Sequence, residues 1–144
     1  MSPAEQNDHE LVKLLQEMET MARDLVQKAG GYPPFGGTID DQGQVGLVFD
    51  QTAITGGPAS NEAANKILNN IRTEAKAANI RAAAVAGMGY VNDPETSRQT
   101  TAMVITLHHR SGRNVDFITP FSKAASGETR FGKPFAGLSK TQLF

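Results

Sequence analysis

The sequence predicts an α+β fold: a mostly antiparallel five-stranded sheet with two helices on one face, in the order helix-strand-strand-helix-strand-strand-strand, closed by an aromatic C-terminal arm. Three observations carry this. Apolar residues recur at steps of three and four in two separate stretches, the mark of amphipathic helices. Alternating runs flank short glycine-containing turns, the mark of antiparallel hairpins. A single helix joins the second strand to the third, and the simplest packing of such a chain puts both helices over one face of the sheet.

The first helix ends at Gly30-Gly31. Its stripe is Leu11, Leu15, Met18, Ala22, Leu25 and Ala29, widened by Leu14 and Met21, while Glu10, Lys13, Glu17, Arg23 and Gln27 lie mostly away from it. Ser2-Pro3-Ala4-Glu5 has the form of a capping box with proline at the first helical position. Asn7, three residues before Glu10, is a rival start. Pro33-Pro34 prevents the helix from resuming. A hairpin follows. Thr38-Ile39-Asp40 and Gln44 to Phe49 flank Asp41-Gln42-Gly43, a three-residue loop that sets Ile39 opposite Val45 and puts Val45, Leu47 and Phe49 on one face.

Thr52 to Ala59 reads as a loop. The second helix runs from about Ser60 to Ala78 with a stripe of Ala64, Ile67, Leu68, Ile71, Ala75 and Ala78. Ile80 to Val91 is a strand of small residues, a choice made against helix because Val85, Gly87, Gly89, Tyr90 and Val91 do not suit a helix interior. Either Ala82, Ala84 and Ala86 or their alternates Ala83, Val85 and Gly87 are expected to face the second helix. Thr100 to His109 and Asn114 to Thr119 form the clearest hairpin. A loop of Arg110-Ser111-Gly112 pairs Leu107 with Val115, Ile105 with Phe117 and Met103 with Thr119. Pro120 is expected to end this strand. Val104 and Ile118 fall on the face that the helices are expected to leave open. Ala124 to Phe144 reads as an ordered arm, with one short strand around Thr129-Arg130-Phe131.

At 144 residues the chain is one domain, 1–144: a helix over 1–30, the sheet and second helix over 31–123, and the arm over 124–144 packed upon them. The net charge of -1, from 14 basic and 15 acidic residues, argues against a nucleic-acid partner. The absence of cysteine excludes disulfides, thiolate nucleophiles and cysteine–zinc sites. No apolar run reaches the ~18 residues of a membrane span. Met1 to Glu10 is polar and acidic, unlike a signal peptide. A soluble cytoplasmic protein is expected.

Few residues point to chemistry. His9 sits in the first turn of a helix. His108 and His109 are neighbours on a strand, so they point to opposite faces and cannot share a metal ion. His108 and Asp116 lie diagonally across the hairpin on one face, a geometry in which a carboxylate orients an imidazole. Ser111 beside His109 reads as a turn serine, and Asp40-Asp41 and Asp93-Pro94-Glu95 as turn formers. Gly56-Gly57-Pro58-Ala59-Ser60 precedes a helix whose amides have the form of an anion site. Tyr32-Pro33-Pro34-Phe35 reads as a rigid hinge that docks its aromatics. Tyr32, Phe35, Phe121 and Phe135 either fill the rim of the core or wall a shallow ligand groove, with Arg110 or Arg113 as the polar contact.

Tyr32-Pro33-Pro34-Phe35-Gly36-Gly37 after an amphipathic helix resembles the Tyr-Pro-Phe-Gly signature of a family of small uncharacterised bacterial α/β proteins. Asp40-Asp41-Gln42-Gly43, Leu107-His108-His109, Pro120-Phe121 and Arg130-Phe131-Gly132-Lys133-Pro134-Phe135-Ala136 are similar in kind. The chain departs from that pattern in its second proline and in a histidine where glutamate is usual. The element order is also similar to profilin-like and roadblock-type folds. The resemblance implies a compact α+β domain and no established activity. Catalytic constellations are missing from the sequence, and Val104 and Ile118 lie on a face that the helices are expected to leave open. The function expected is therefore a non-enzymatic binding or regulatory module, self-associating as a homodimer, with a small molecule or a protein as further partner and no cofactor, metal, nucleic acid or membrane. The alternatives are a small hydrolase using His108 and Asp116, and a partner-capping or toxin-neutralising protein.

Overall fold

The computed structural model describes residues 3–32, 34–49, 61–76 and 79–138. Helix α1 spans Pro3–Ala29; Ser2, the expected cap, lies outside the described residues. Leu11, Leu14, Met18, Ala22 and Val26 form its buried line, with Leu15, Met21 and Leu25 packed at the flanks. The line thus runs through Leu14 and Val26 and leaves Ala29 exposed. Steps of three and four alternate along any helix, and a broad apolar face does not mark its own centre. The helix closes on Gly30, whose φ of 77° brings its N–H to the Val26 carbonyl at 2.8 Å.

Strands β1 (Phe35–Asp40) and β2 (Val45–Phe49) pair with Ile39 opposite Val45, as expected. The Asp40 carboxylate accepts the N–H groups of Gln42 and Gln44, each at 2.9 Å, which holds the turn. Helix α2 spans Asn61–Ala75 and buries Ile67, Ile71 and Ala75. Its expected start at Ser60 and its last stripe residue, Ala78, lie outside the described residues, as does the 52–59 loop. Strands β3 (Ile80–Asn92), β4 (Gln99–His109) and β5 (Asn114–Lys123) follow. The β4–β5 register matches the expected one at Leu107–Val115, Ile105–Phe117 and Met103–Thr119.

Among the described residues the sheet has seven strands, not five. The order is β2-β1-β3-β4-β5-β6, with β7 also on β5, and every pairing is antiparallel. Residues 124–138 form no separate arm: β6 (Thr129–Phe131) and β7 (Phe135–Leu138) both line the outer edge of β5, and the rest of the expected arm, 139–144, lies outside the described residues. Phe131 pairs with Phe121 and Phe135 with Ile118. Three steps along β5 are therefore matched by four on the returning chain. Such a one-residue slip turns side chains to the other face. Nor does Pro120 end β5. Its carbonyl accepts the Gly132 N–H at 2.7 Å, so its backbone faces the break between β6 and β7. No ladder bond there needs the N–H that proline lacks.

The helices lie on opposite faces of the sheet, which corrects the expected one-sided packing. Ala82, Ala84, Ala86, Ile105 and Leu107 pack with α1, whereas Ala83, Val85 and Val48 pack with α2. The neighbours Gly36 and Gly37 show the same division. A Cβ on Gly36 would strike the side chain of Ile71 from α2, and one on Gly37 would lie 2.7 Å from the Met18 Sδ of α1. A strand of alanines is small on both sides, so it carries no alternation to reveal that both sides are covered. Among the described residues no helix is long and apolar enough to cross a membrane.

Ala83→Leu and Ala84→Leu are each expected to cost about 1–3 kcal/mol by overpacking. Their costs are expected to couple in the double variant, because adjacent residues on one strand cannot both be relieved by a shift of the shared backbone toward one helix or the other. Chemical denaturation of the two single variants and the double variant checks both statements.

Candidate functional site

Of the two readings the aromatics left open, Tyr32, Phe35 and Phe121 follow the first and fill the core. Tyr32 is buried and donates its hydroxyl to the Gly87 carbonyl at 2.7 Å; burial pushes its phenol well above the usual range. Phe35 is fully buried, edge-on to Tyr32 with ring centres 5.4 Å apart and stacked on Phe49 at 5.3 Å. Phe121 packs in the same core and touches Phe131 at 6.2 Å. Phe135, turned over by the slip between β6 and β7, belongs to the opposite face. Tyr32 and Phe35 therefore both dock into the core; Pro33 between them lies outside the described residues.

His108 and His109 do point to opposite faces. His108 stands on the α2 side and is 1 % exposed. Desolvation lowers its pKa, and the charge of Asp116 on the same face works weakly against that shift. Asp116 itself accepts a hydrogen bond from Thr106 Oγ1 at 2.8 Å. Val104 and Ile118 share this face beside them and are half-buried.

On the other face, sequence reasoning missed a buried carboxylate. Glu10, read as lying away from the stripe, is 7 % exposed. The signal was its position one helical turn before Leu14, at the head of the line Leu14, Met18, Ala22, Val26. Its Oε2 meets Arg81 Nη1 and its Oε1 meets His109 Nε2, both at 3.3 Å. The other ring nitrogen, His109 Nδ1, accepts the Ser111 backbone N–H at 3.1 Å and lies 2.9 Å from Ser111 Oγ. An acceptor Nδ1 places the imidazole proton on Nε2, so Nε2 donates to Glu10. This group lines an open cleft of about 370 Å³ together with Gln6, Asn7 and Arg110.

The two arginines proposed for a ligand have structural tasks. Arg110 donates from Nε to the Ile80 carbonyl at 2.7 Å and from Nη2 to the Ala75 carbonyl at 2.5 Å. It thereby ties the C-terminal end of α2 to the start of β3. Arg113 pairs with Asp8 of α1 at 2.9 Å. A second, more apolar groove of about 260 Å³ runs between α1 and the outer strands, lined by Leu11, Val12, Leu15, Val115 and Phe117 among others. Among the described residues no group of three or more histidine and acidic side chains is placed to hold a metal ion. The candidate anion loop at 56–60 lies outside the described residues. Comparison with protein-family models, curated proteins and solved structures found no match.

The lowered pKa of His108 has a consequence for stability. The unfolded chain takes up the proton near about pH 6.5, and the folded chain only at lower pH. The contribution of neutral His108 is therefore complete above about pH 6.5 and is lost as pH falls below it. His108→Gln is expected to flatten that part of the profile, read as melting temperature from about pH 8 to about pH 5.

Proposed function

We propose that the protein is a non-enzymatic binding or regulatory module that acts as a homodimer. The observation that carries this reading is an overhang of the β3–β4 ribbon. β1 pairs with β3 only as far as Ala86, whereas β3 and β4 stay paired out to Asn92 and Gln99. The overhang leaves Tyr90 at 75 % and Met88 at 37 % exposure. A sheet edge that presents large apolar side chains is a surface that association covers. The engagement of the polar candidates supports the same reading: His108 is buried, Asp116 holds Thr106, and Arg110 and Arg113 tie helices to the sheet. Light scattering after size exclusion is expected to report twice the mass of the chain. A monomer at every micromolar concentration overturns the reading.

A second reading, hydrolysis of an ester, is favoured by the line from Ser111 through His109 to Glu10. In it Ser111 Oγ adds to the carbonyl carbon as His109 Nδ1 takes the hydroxyl proton and the Glu10 carboxylate holds the imidazolium through Nε2–H; the ester C–O bond then breaks, the imidazolium gives its proton to the departing alcohol, and water, deprotonated by His109, cleaves the acyl-serine to acid and free Ser111. It moves the chemistry away from His108, which solvent does not reach. On this reading a fluorophosphonate probe labels Ser111, and His109→Gln slows labelling by more than about tenfold. Protein left unlabelled by the probe excludes it.

A further inference from the structure

Resting on the homodimer reading, we propose that two copies join edge to edge through β3, antiparallel, with Tyr90 on the two-fold axis. The direction of the backbone groups on β3 follows from two hydrogen bonds at its ends. Arg110 N–H donates to the Arg81 carbonyl and Asp93 N–H to the Arg98 carbonyl, both at 2.8 Å. These bonds continue the β3–β4 register between them, so the odd-numbered residues of β3 turn their backbone groups toward β4. The even-numbered residues turn theirs the other way. Ala82, Ala84 and Ala86 meet β1 there. Beside Met88, Tyr90 and Asn92 no described strand lies.

This short edge lacks charge and proline, the sequence devices that protect sheet edges; at its near end the Tyr32 N–H meets Met88 Sδ at 3.3 Å. From Gly87 to Asn92 the sequence has no charged residue and no proline. The same neutrality makes the segment complementary to itself, because a second copy laid antiparallel meets no like charge. Hydrogen-bonded positions must oppose hydrogen-bonded positions, so even residues must face even residues. Centring the pair on Tyr90 sets Met88 against Asn92 of the partner subunit and Asn92 against the partner's Met88. All three outward residues of each copy are then paired. The arrangement is two-fold and closed, as homodimer interfaces are. The two Tyr90 rings, each otherwise largely in water, become a cross-strand aromatic pair.

Two substitutions remove the edge without touching the β3–β4 ladder. Asn92→Pro deletes one outward N–H, and Tyr90→Lys puts two like charges on the axis. Both variants are expected to scatter light as monomers while keeping the wild-type circular dichroism. Mixing Tyr90→Lys with Tyr90→Glu is expected to restore a dimer, since opposite charges then meet at the axis. The absence of cysteine from the chain permits a direct test of register. Tyr90→Cys is expected to oxidise to a disulfide-linked dimer, because paired strands hold Cα atoms within bridging distance, whereas Val12→Cys, exposed on α1, is expected to remain uncross-linked. If wild type is a dimer and both edge variants remain dimers, the β3 edge is refuted and the homodimer reading stands. If wild type is monomeric, both fall together.

Discussion

The fold depends on how closely two helices approach the β1–β3 pair from opposite sides. Gly36-Gly37 on β1 and the run from Ala82 to Ala86 on β3 leave almost no side chain between the strands and the helices. Met18 and Leu14 of α1 fill the space over Gly37, and Ile71 of α2 fills that over Gly36. The sheet centre is therefore thin, and the volume of both interfaces is supplied by the helices. Larger side chains at these positions would lift one helix and open the core beneath it.

Polar contacts then fix where α1 lies along the sheet, which apolar contact alone does not. Near its start Glu10 reaches Arg81 and His109, and Asp8 reaches Arg113. Near its end the Arg23 guanidinium sits 4.4 Å over the ring of Phe131, while Glu19 holds the same guanidinium at 2.7 Å. A carboxylate as buried as Glu10 requires partners, since an unpaired buried charge is costly. The Glu10–His109–Ser111 line is thus part of the scaffold as well as a wall of the polar cleft. Arg110 does a similar task on the other face by joining the end of α2 to the start of β3.

What the helices leave uncovered is unevenly distributed. α2 centres on β1 and β3 and α1 on β3 and β4, so the face around Val104 and Ile118 and the groove beside Val115 and Phe117 keep only partial cover. The β3–β4 ribbon passes the end of β1 altogether. Function, on the reading proposed above, belongs to this mismatch in strand length: a short β1 beside a long β3 leaves outward backbone groups that no described strand meets.

The sequence by itself determined the local elements: two amphipathic helices, the Asp40–Gly43 turn, the strand of small residues, and the register of the β4–β5 hairpin. Each of these rests on periodicity or turn chemistry within a short span of chain. Tertiary structure alone decided the rest. Ala82 to Ala86 could face a helix with either set of side chains, and only the positions of Gly36 and Gly37 between Ile71 and Met18 show that both sets do. The ordered packing of the C-terminal aromatics was legible for Phe131 and Phe135, both half-buried, but the one-residue slip that sends them to different faces is a property of pairing with β5. The candidate site was least legible. Glu10, Arg81, His109 and Ser111 are brought together by α1 crossing the sheet, and no spacing in the sequence encodes a contact between residues 99 positions apart. Pattern within a segment reports which face is apolar; which neighbour covers that face is set by packing at a distance.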